Sequence, residues 1–203
     1  MKSDNRIVIG IDQSYKNTGI SIFLDGKKKM IKSIHLESLN NNTEKREMII
    51  KTLKPIIGYC LKKQSNTDKI TCIIERIRLR SQGFININYI KSIGALDAVI
   101  IDLFTDHNIK VFSVDTRCWK SQIVGTSKPE SNTYGVDEKK WPTIKWCIDQ
   151  GWEKDIIETA KRKTKKTFER DEKFYKYNDD AADSAGIALF GFYGEDSKLK
   201  KEV

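Results

Sequence analysis

The chain has 203 residues, 38% hydrophobic and 32% charged, with a formal net charge of +9. That length gives room for one domain with a real core, and the apolar first half excludes a disordered chain. The basic balance favours a polyanionic partner, and no apolar stretch approaches the roughly 20 residues that a membrane-spanning helix needs.

Taken in chain order, Arg6 to Asp12 is rich in isoleucine and valine and reads as a buried strand. Thr18 to Leu24 reads as a second strand, Asp25-Gly26 as a hairpin turn, and Met30 to Leu36 as a third, partly exposed strand. Asn40 to Thr43 offers helix N-caps, and Glu44 to Lys63 then carries apolar residues at helical spacing, with a possible kink at Pro55. Ile70 to Glu75 fits a fourth strand, Asn88 to His107 a second long helix, and Lys110 to Val114 a fifth strand. Ser127 to Asp137 reads as a surface loop and Lys139 to Gly151 as a short amphipathic helix. Trp152 to Tyr177 is highly charged and interleaved with aromatics. Asp180 to Phe192 is the final helix, and Glu195 to Val203 reads as a charged, frayed tail. This order indicates an α/β fold: one mixed sheet with helices on its faces.

Cys60, Cys72, Cys118 and Cys147 form no C-x-x-C pair and read as reduced, mostly buried thiols. His35 and His107 are far apart in sequence, which argues against a zinc site. The first residues lack a signal-peptide pattern, so a cytoplasmic location is expected, with no membrane partner.

Four carboxylates carry the chemistry. Asp12 and Glu75 end strand-like runs, while Asp180 and Asp183 lie three apart in Asp180-Ala181-Ala182-Asp183 and so project from one helix face. If strands one and four are neighbours, all four can converge and hold hard divalent cations through oxygen. Two such ions about 3.5–4 Å apart activate a water and shield a leaving oxygen in phosphodiester hydrolysis. Each acid also has a plainer reading, as a strand-end aspartate or a helix cap, and the combination is more specific than any member. In a basic chain it points to metal-dependent cleavage of nucleic acid.

Ile9-Gly10-Ile11-Asp12 followed by Thr18-Gly19-Ile20-Ser21, then Ile73-Ile74-Glu75, then Asp180-Ala181-Ala182-Asp183-Ser184-Ala185, resembles the RuvC-type Holliday-junction resolvases of the RNase H-like superfamily. The likeness extends through Val111 to Val114 and Trp119 to Gly125, and leaves out about 152–176. It implies an RNase H-like mixed five-stranded sheet, three antiparallel strands and then parallel ones, in a single domain over 1–203 with a basic insert at about 152–177. It further implies a homodimeric endodeoxyribonuclease that resolves four-way DNA junctions by paired symmetric nicks, leaving 5′-phosphate and 3′-hydroxyl ends. Asp12, Glu75, Asp180 and Asp183 would then bind Mg2+, two ions per site, with Mn2+ as a substitute. Lys120 matches a basic residue near the scissile phosphate, and Lys139 or Lys140 a second one. An aromatic that often lies three residues after the glutamate is here Arg78, so Phe84 is the alternative stacking residue. The long basic stretch before Asp180 is more similar to a phage or other mobile-element branch.

Arg76, Arg78 and Arg80 alternate beside Glu75, and in an extended segment all three face one way, toward a DNA backbone. Lys161 to Lys166 is the densest basic run and reads either as a phosphate contact or as a solvated face. The helix Asn88 to His107, with Gly94-Ala95, is the candidate dimer surface. Three other readings stand beside the resolvase. One is an RNase H-like nuclease acting on flaps, other branched DNA or RNA–DNA hybrid. Another is a non-catalytic branched-DNA scaffold. The third, an actin- or hexokinase-like ATPase, needs two copies of a domain found once here, so no nucleotide cofactor is expected.

Overall fold

The computed structural model describes residues 5–76, 87–126 and 128–202. Arg78, Arg80 and Phe84 lie outside the described residues.

Ile7–Gln13 (β1) is buried along nearly its whole length because it is the third strand of six and is covered on both faces. Asn17–Leu24 (β2) and Lys27–His35 (β3) continue it as an antiparallel meander. Asp25 and Gly26, with φ of 50° and 74°, supply the left-handed pair that a tight hairpin of this twist requires. Asn42–Lys63 (α1) starts where the Asn41 side chain accepts from the Glu44 amide, and it continues through Pro55 as one helix.

Ile70–Glu75 (β4) returns beside β1 in parallel, so strands one and four are neighbours, as the convergence of the acids requires. Ile87–Thr105 (α2) leads to Lys110–Val114 (β5), parallel to β4. Thr116–Trp119 (α3), capped by the Asp115 side chain, runs into a wider π-helical turn at Lys120–Val124. Trp141–Asp149 (α4) and Glu153–Ile156 (α5) precede Ile157–Ala160 (β6), Phe168–Arg170 (β7) and Lys173–Tyr177 (β8). The charged stretch is therefore structured, as a small antiparallel sheet of order β6-β8-β7. Asp179–Tyr193 (α6) follows, and Lys200–Glu202 (β9) ends the described chain.

The tail expected to fray instead adds a sixth strand. β9 pairs antiparallel with β5, giving the order β3-β2-β1-β4-β5-β9. An unpaired β5 edge offers a row of free backbone groups, and a short strand satisfies them; the Ser113 hydroxyl also donates to Glu202. The mixed α/β sheet flanked by helices is otherwise as expected.

Strand alternation divides the core. Ile7, Ile9 and Ile11 face α1 and α2, whereas Val8 packs with Ile73 and the α6 residues Ala181, Ala185 and Ala188. By the same period, Asp12 lies on the Val8 side of β1 and Glu75 on the Ile73 side of β4, so both acids belong to the α6 face. α6 sits very close to that face. A Cβ on Gly10 would come 2.2 Å from the Ser184 carbonyl oxygen, and one on Gly19 would come 1.8 Å from that of Asp180.

No helix among the described residues is long and apolar enough to cross a membrane. Cys60, Cys72 and Cys147 are buried.

The glycine contacts predict opposite effects for two Gly→Ala changes. Gly10→Ala must push backbone against backbone and should lower unfolding free energy by about 2–3 kcal/mol or more. Gly58→Ala, inside α1 with nothing within 4 Å of its Cβ, should raise it by about 0.8–1 kcal/mol. Urea denaturation midpoints would decide both, and a neutral Gly10→Ala would show that α6 is free to lift.

Candidate functional site

Asp12 reaches the site from the end of β1, Glu75 from the end of β4 and Asp183 from the second turn of α6. One carboxylate oxygen from each lies within 4.8 Å of the others. Asp180, one turn nearer the helix start, is a neighbour of this group, beside Asp179 and Asn17.

Polar groups that the sequence reading did not single out hold these acids in place. The Thr116 hydroxyl donates to Glu75 Oε1, and the Gln13 side-chain amide donates to the Glu75 carbonyl oxygen. Asn178 caps α6, its Oδ1 accepting from the Ala181 amide at 2.9 Å. Of these, only Asn178 left a signal in sequence, as a helix-capping residue type just before an apolar helix. The other two act through contacts between distant segments.

Lys120, at the head of the π-helical turn, is almost buried, with Nζ 3.2 Å from Asp183 Oδ2 and 5.0 Å from the Trp119 ring centroid. Lys140 pairs with Asp179. Lys139 is exposed, and its amide donates to the Asp137 side chain. Arg76 is half-buried, with Nε 3.4 Å from Ser113 Oγ, which ties it to β5. On α2, a Cβ at Gly94 would meet nothing within 4 Å among the described residues, and Ile87 and Tyr89 are exposed.

The electrostatics are those of a site with surplus negative charge. Burial, then the charges of Glu75 and Asp183, hold the Asp12 carboxyl well above its ordinary value. Burial and Asp183 raise Glu75 against the Thr116 hydrogen bond and the Lys120 charge. Burial also raises Asp183, against the opposing pull of Lys120. Asp180 is pushed up to about 7, by burial first and Asp179 second. Lys120 is the cation in contact with these crowded acids, and Asp183 Oδ1 is buried without a hydrogen bond of ordinary geometry among the described residues, the buried Thr143 hydroxyl acting on the same carboxylate. An all-oxygen donor set with an under-bonded, buried carboxylate oxygen suits a hard divalent cation such as Mg2+.

Fold and site together define an RNase H-like architecture that carries a candidate divalent-metal centre. Among solved structures, RuvC of Thermus thermophilus superposes with a TM-score of 0.56 at 13% identity, covering 97% of this chain and 99% of that one. A structure of T. thermophilus RuvC in complex with a Holliday junction substrate gives a TM-score of 0.56 at 11% identity, with the same coverage. The yeast mitochondrial Holliday junction resolvase Ydc2 gives 0.49 at 18% identity, covering 91% of this chain and 77% of that one. No family model and no curated protein matches the chain. At these identities the likeness is one of fold: the chain has the fold of RuvC.

The raised carboxyls bind their protons more tightly in the folded than in the unfolded chain. Their contribution to stability is therefore fully present below the ordinary carboxylate value of 3.8 and is lost as pH rises, through about 7 for Asp180. In EDTA, Asp12→Asn should unfold at a higher temperature than wild type. Its advantage should grow from pH 4 to pH 7 and vanish below pH 4. Millimolar Mg2+ at pH 7 should raise the melting temperature of wild type more than that of the variant. A variant less stable than wild type in EDTA at pH 7 would mean that these acids do not repel one another.

Proposed function

We propose that the protein is a metal-dependent, structure-selective endodeoxyribonuclease that resolves four-way DNA junctions, acting as a homodimer. The observation that carries this reading is the convergence of Asp12, Glu75 and Asp183 on the α6 face of a RuvC-type sheet. The net charge of +9 supports a polyanionic substrate. That a RuvC of this fold has been captured with a Holliday junction supports the branched one.

Asp12, Glu75 and Asp183 would hold the divalent ions, with Asp180 at the rim as a further oxygen donor. When bound, such ions supply an acidified water and shielding of the leaving oxygen. The residues of the chain do the rest. The Thr116 hydroxyl fixes the Glu75 carboxylate through Oε1. Lys120, held against Asp183 and the Trp119 ring, presents a fixed cation where the scissile phosphate would gain charge. Lys139 and Lys140 extend that positive flank beyond the acids. Water adds to phosphorus and the bond to the 3′-oxygen breaks, leaving 5′-phosphate and 3′-hydroxyl ends. The Gly94 face of α2, uncovered among the described residues and carrying the exposed Ile87, is the proposed contact between copies, and two-fold pairing suits a two-fold junction.

The test is cleavage of a synthetic mobile four-way junction, with duplex, flap and RNA–DNA hybrid as controls and Mg2+ or EDTA present. Paired symmetric nicks that require Mg2+ are expected. Glu75→Gln and Asp183→Asn should each cut more slowly by more than the 10–100-fold typical of losing an outer-sphere partner, while binding the junction within about threefold of wild type. Preferential cutting of flaps or hybrid would replace the junction assignment with another nuclease specificity. Tight junction binding without cutting of any substrate would make the protein a scaffold.

A further inference from the structure

Beside the acids, on the side of Asp179 and Asp180, lies a cavity of about 430 Å³ walled by the loop before α4, the small sheet and the start of α6. Both of its rims are built. On one, the Asn132 side chain accepts from the Tyr134 amide at 3.0 Å and the Val136 amide at 3.1 Å, fixing the loop around Gly135. On the other, the β6–β7 turn that carries Lys165 and Lys166 is closed by hydrogen bonds between Thr164 and Thr167. The two rims meet backbone to backbone: a Cβ on Gly135, whose φ is +71°, would lie 2.0 Å from the Lys165 carbonyl oxygen. The floor is a closed polar network in which Asn178 donates to Ser33 at 2.8 Å and to Glu158, and Glu158 also receives Lys176 at 3.1 Å.

The charges decide what such a cleft can hold. Four lysines and four acids line it, so it is close to neutral and unsuited to a free polyphosphate. Lys140 and Lys176 are matched with Asp179 and Glu158, whereas Lys165 and Lys166 have no ion-pair partner among the described residues. Positive charge therefore stands free at one rim, with acceptor oxygens deeper in. A nucleotide within a strand has that pattern: one phosphate charge, and a base edge carrying amino donors. The volume is within the range of small-ligand sites and far too small for a duplex.

We propose that this cavity takes one unpaired nucleotide of the strand to be cut, its phosphate held by Lys165 and Lys166, next to the phosphate at the acids. The proposal rests on the nuclease reading above and deepens it. A continuous duplex cannot supply an unpaired nucleotide without unstacking it, whereas a branch point does so cheaply, so the cavity selects branched DNA and sets the register of the cut. Lys165, Lys166 and the Asn132 loop are positioning elements in this scheme.

The experiment places 2-aminopurine in turn at each nucleotide flanking the branch point of a four-way junction and measures its fluorescence on binding the full chain in EDTA. Wild type should raise the fluorescence at one flanking position, by unstacking that base. Lys165→Ala with Lys166→Ala should abolish the rise and, with Mg2+, slow single-turnover nicking at saturating enzyme by about tenfold to a hundredfold, as misplacement of a reacting group does. Lys161→Ala with Lys163→Ala removes the same charge from the same basic run outside the cavity and should keep the rise. No rise at any position, or equal loss in both double variants, would overturn the proposal. Nicking on the same junctions separates it from the reading beneath. Unstacking without nicking would remove the nuclease and leave the cavity's role standing; nicking by wild type without unstacking would do the reverse.

Discussion

Everything at the site depends on how closely α6 lies on β1 and β2. The contact is made at Gly10 and Gly19 on the strands and at Ala181, Ala185 and Ala188 on the helix, all small residues. The Ser21 hydroxyl donates to the Ser184 carbonyl at 2.6 Å and locks the helix axially. Small residues let backbone approach backbone, and only at that separation can short aspartate side chains on a helix meet carboxylates from strand ends. A larger residue at either glycine would open the site before it opened the core.

The cost of that geometry is electrostatic. Three carboxylates share a space with one buried ammonium, and burial deprives them of the water that would otherwise screen them. The fold tolerates this because the same helix is buried nearly all round, with Ile187, Leu189 and Phe190 in the core that the sheet shares with Trp119 and α4. Local tension of this kind survives where surrounding packing over-determines the arrangement.

Much of this was legible in the residues and some of it was not. Two continuous apolar runs placed Asp12 and Glu75 at strand ends, because a strand buried on both faces shows as such a run, but only the pairing of β1 with β4 brings the two acids side by side. The i, i+3 spacing put Asp180 and Asp183 on one helix face, yet it could not show that Asp183 sits over the strand ends while Asp180 borders the cavity. That difference follows from where α6 starts, which Asn178 determines through its cap and its bond to Ser33. Thr116, Gln13 and β9 were illegible because their roles are tertiary: each completes hydrogen bonding offered by a segment far away in sequence. The charged stretch before α6 concealed its structure for a different reason. Its aromatics, Phe168 and Tyr177, pack with Tyr134 and Trp141 at centroid distances of 4.9–6.2 Å, across loops whose pairing no local period announces.

The crowding of these acids also constrains how any ion binding would be linked to folding. Carboxyls with raised proton affinity compete with a divalent cation for the same oxygens, so protons must leave as the ion enters, and apparent ion affinity must rise with pH. Part of the binding free energy is the relief of repulsion already present in the fold, and none of that part exists in the unfolded chain. An ion held this way stabilises the native state by mass action, and it does so most strongly where the unliganded site is least comfortable, near neutral pH. Lys120 limits the effect by compensating one charge in advance. It leaves Asp183 half-satisfied, tied through Oδ2 and without an ordinary hydrogen bond at Oδ1, which is the state from which a carboxylate can take up a cation without first breaking its contact with the protein.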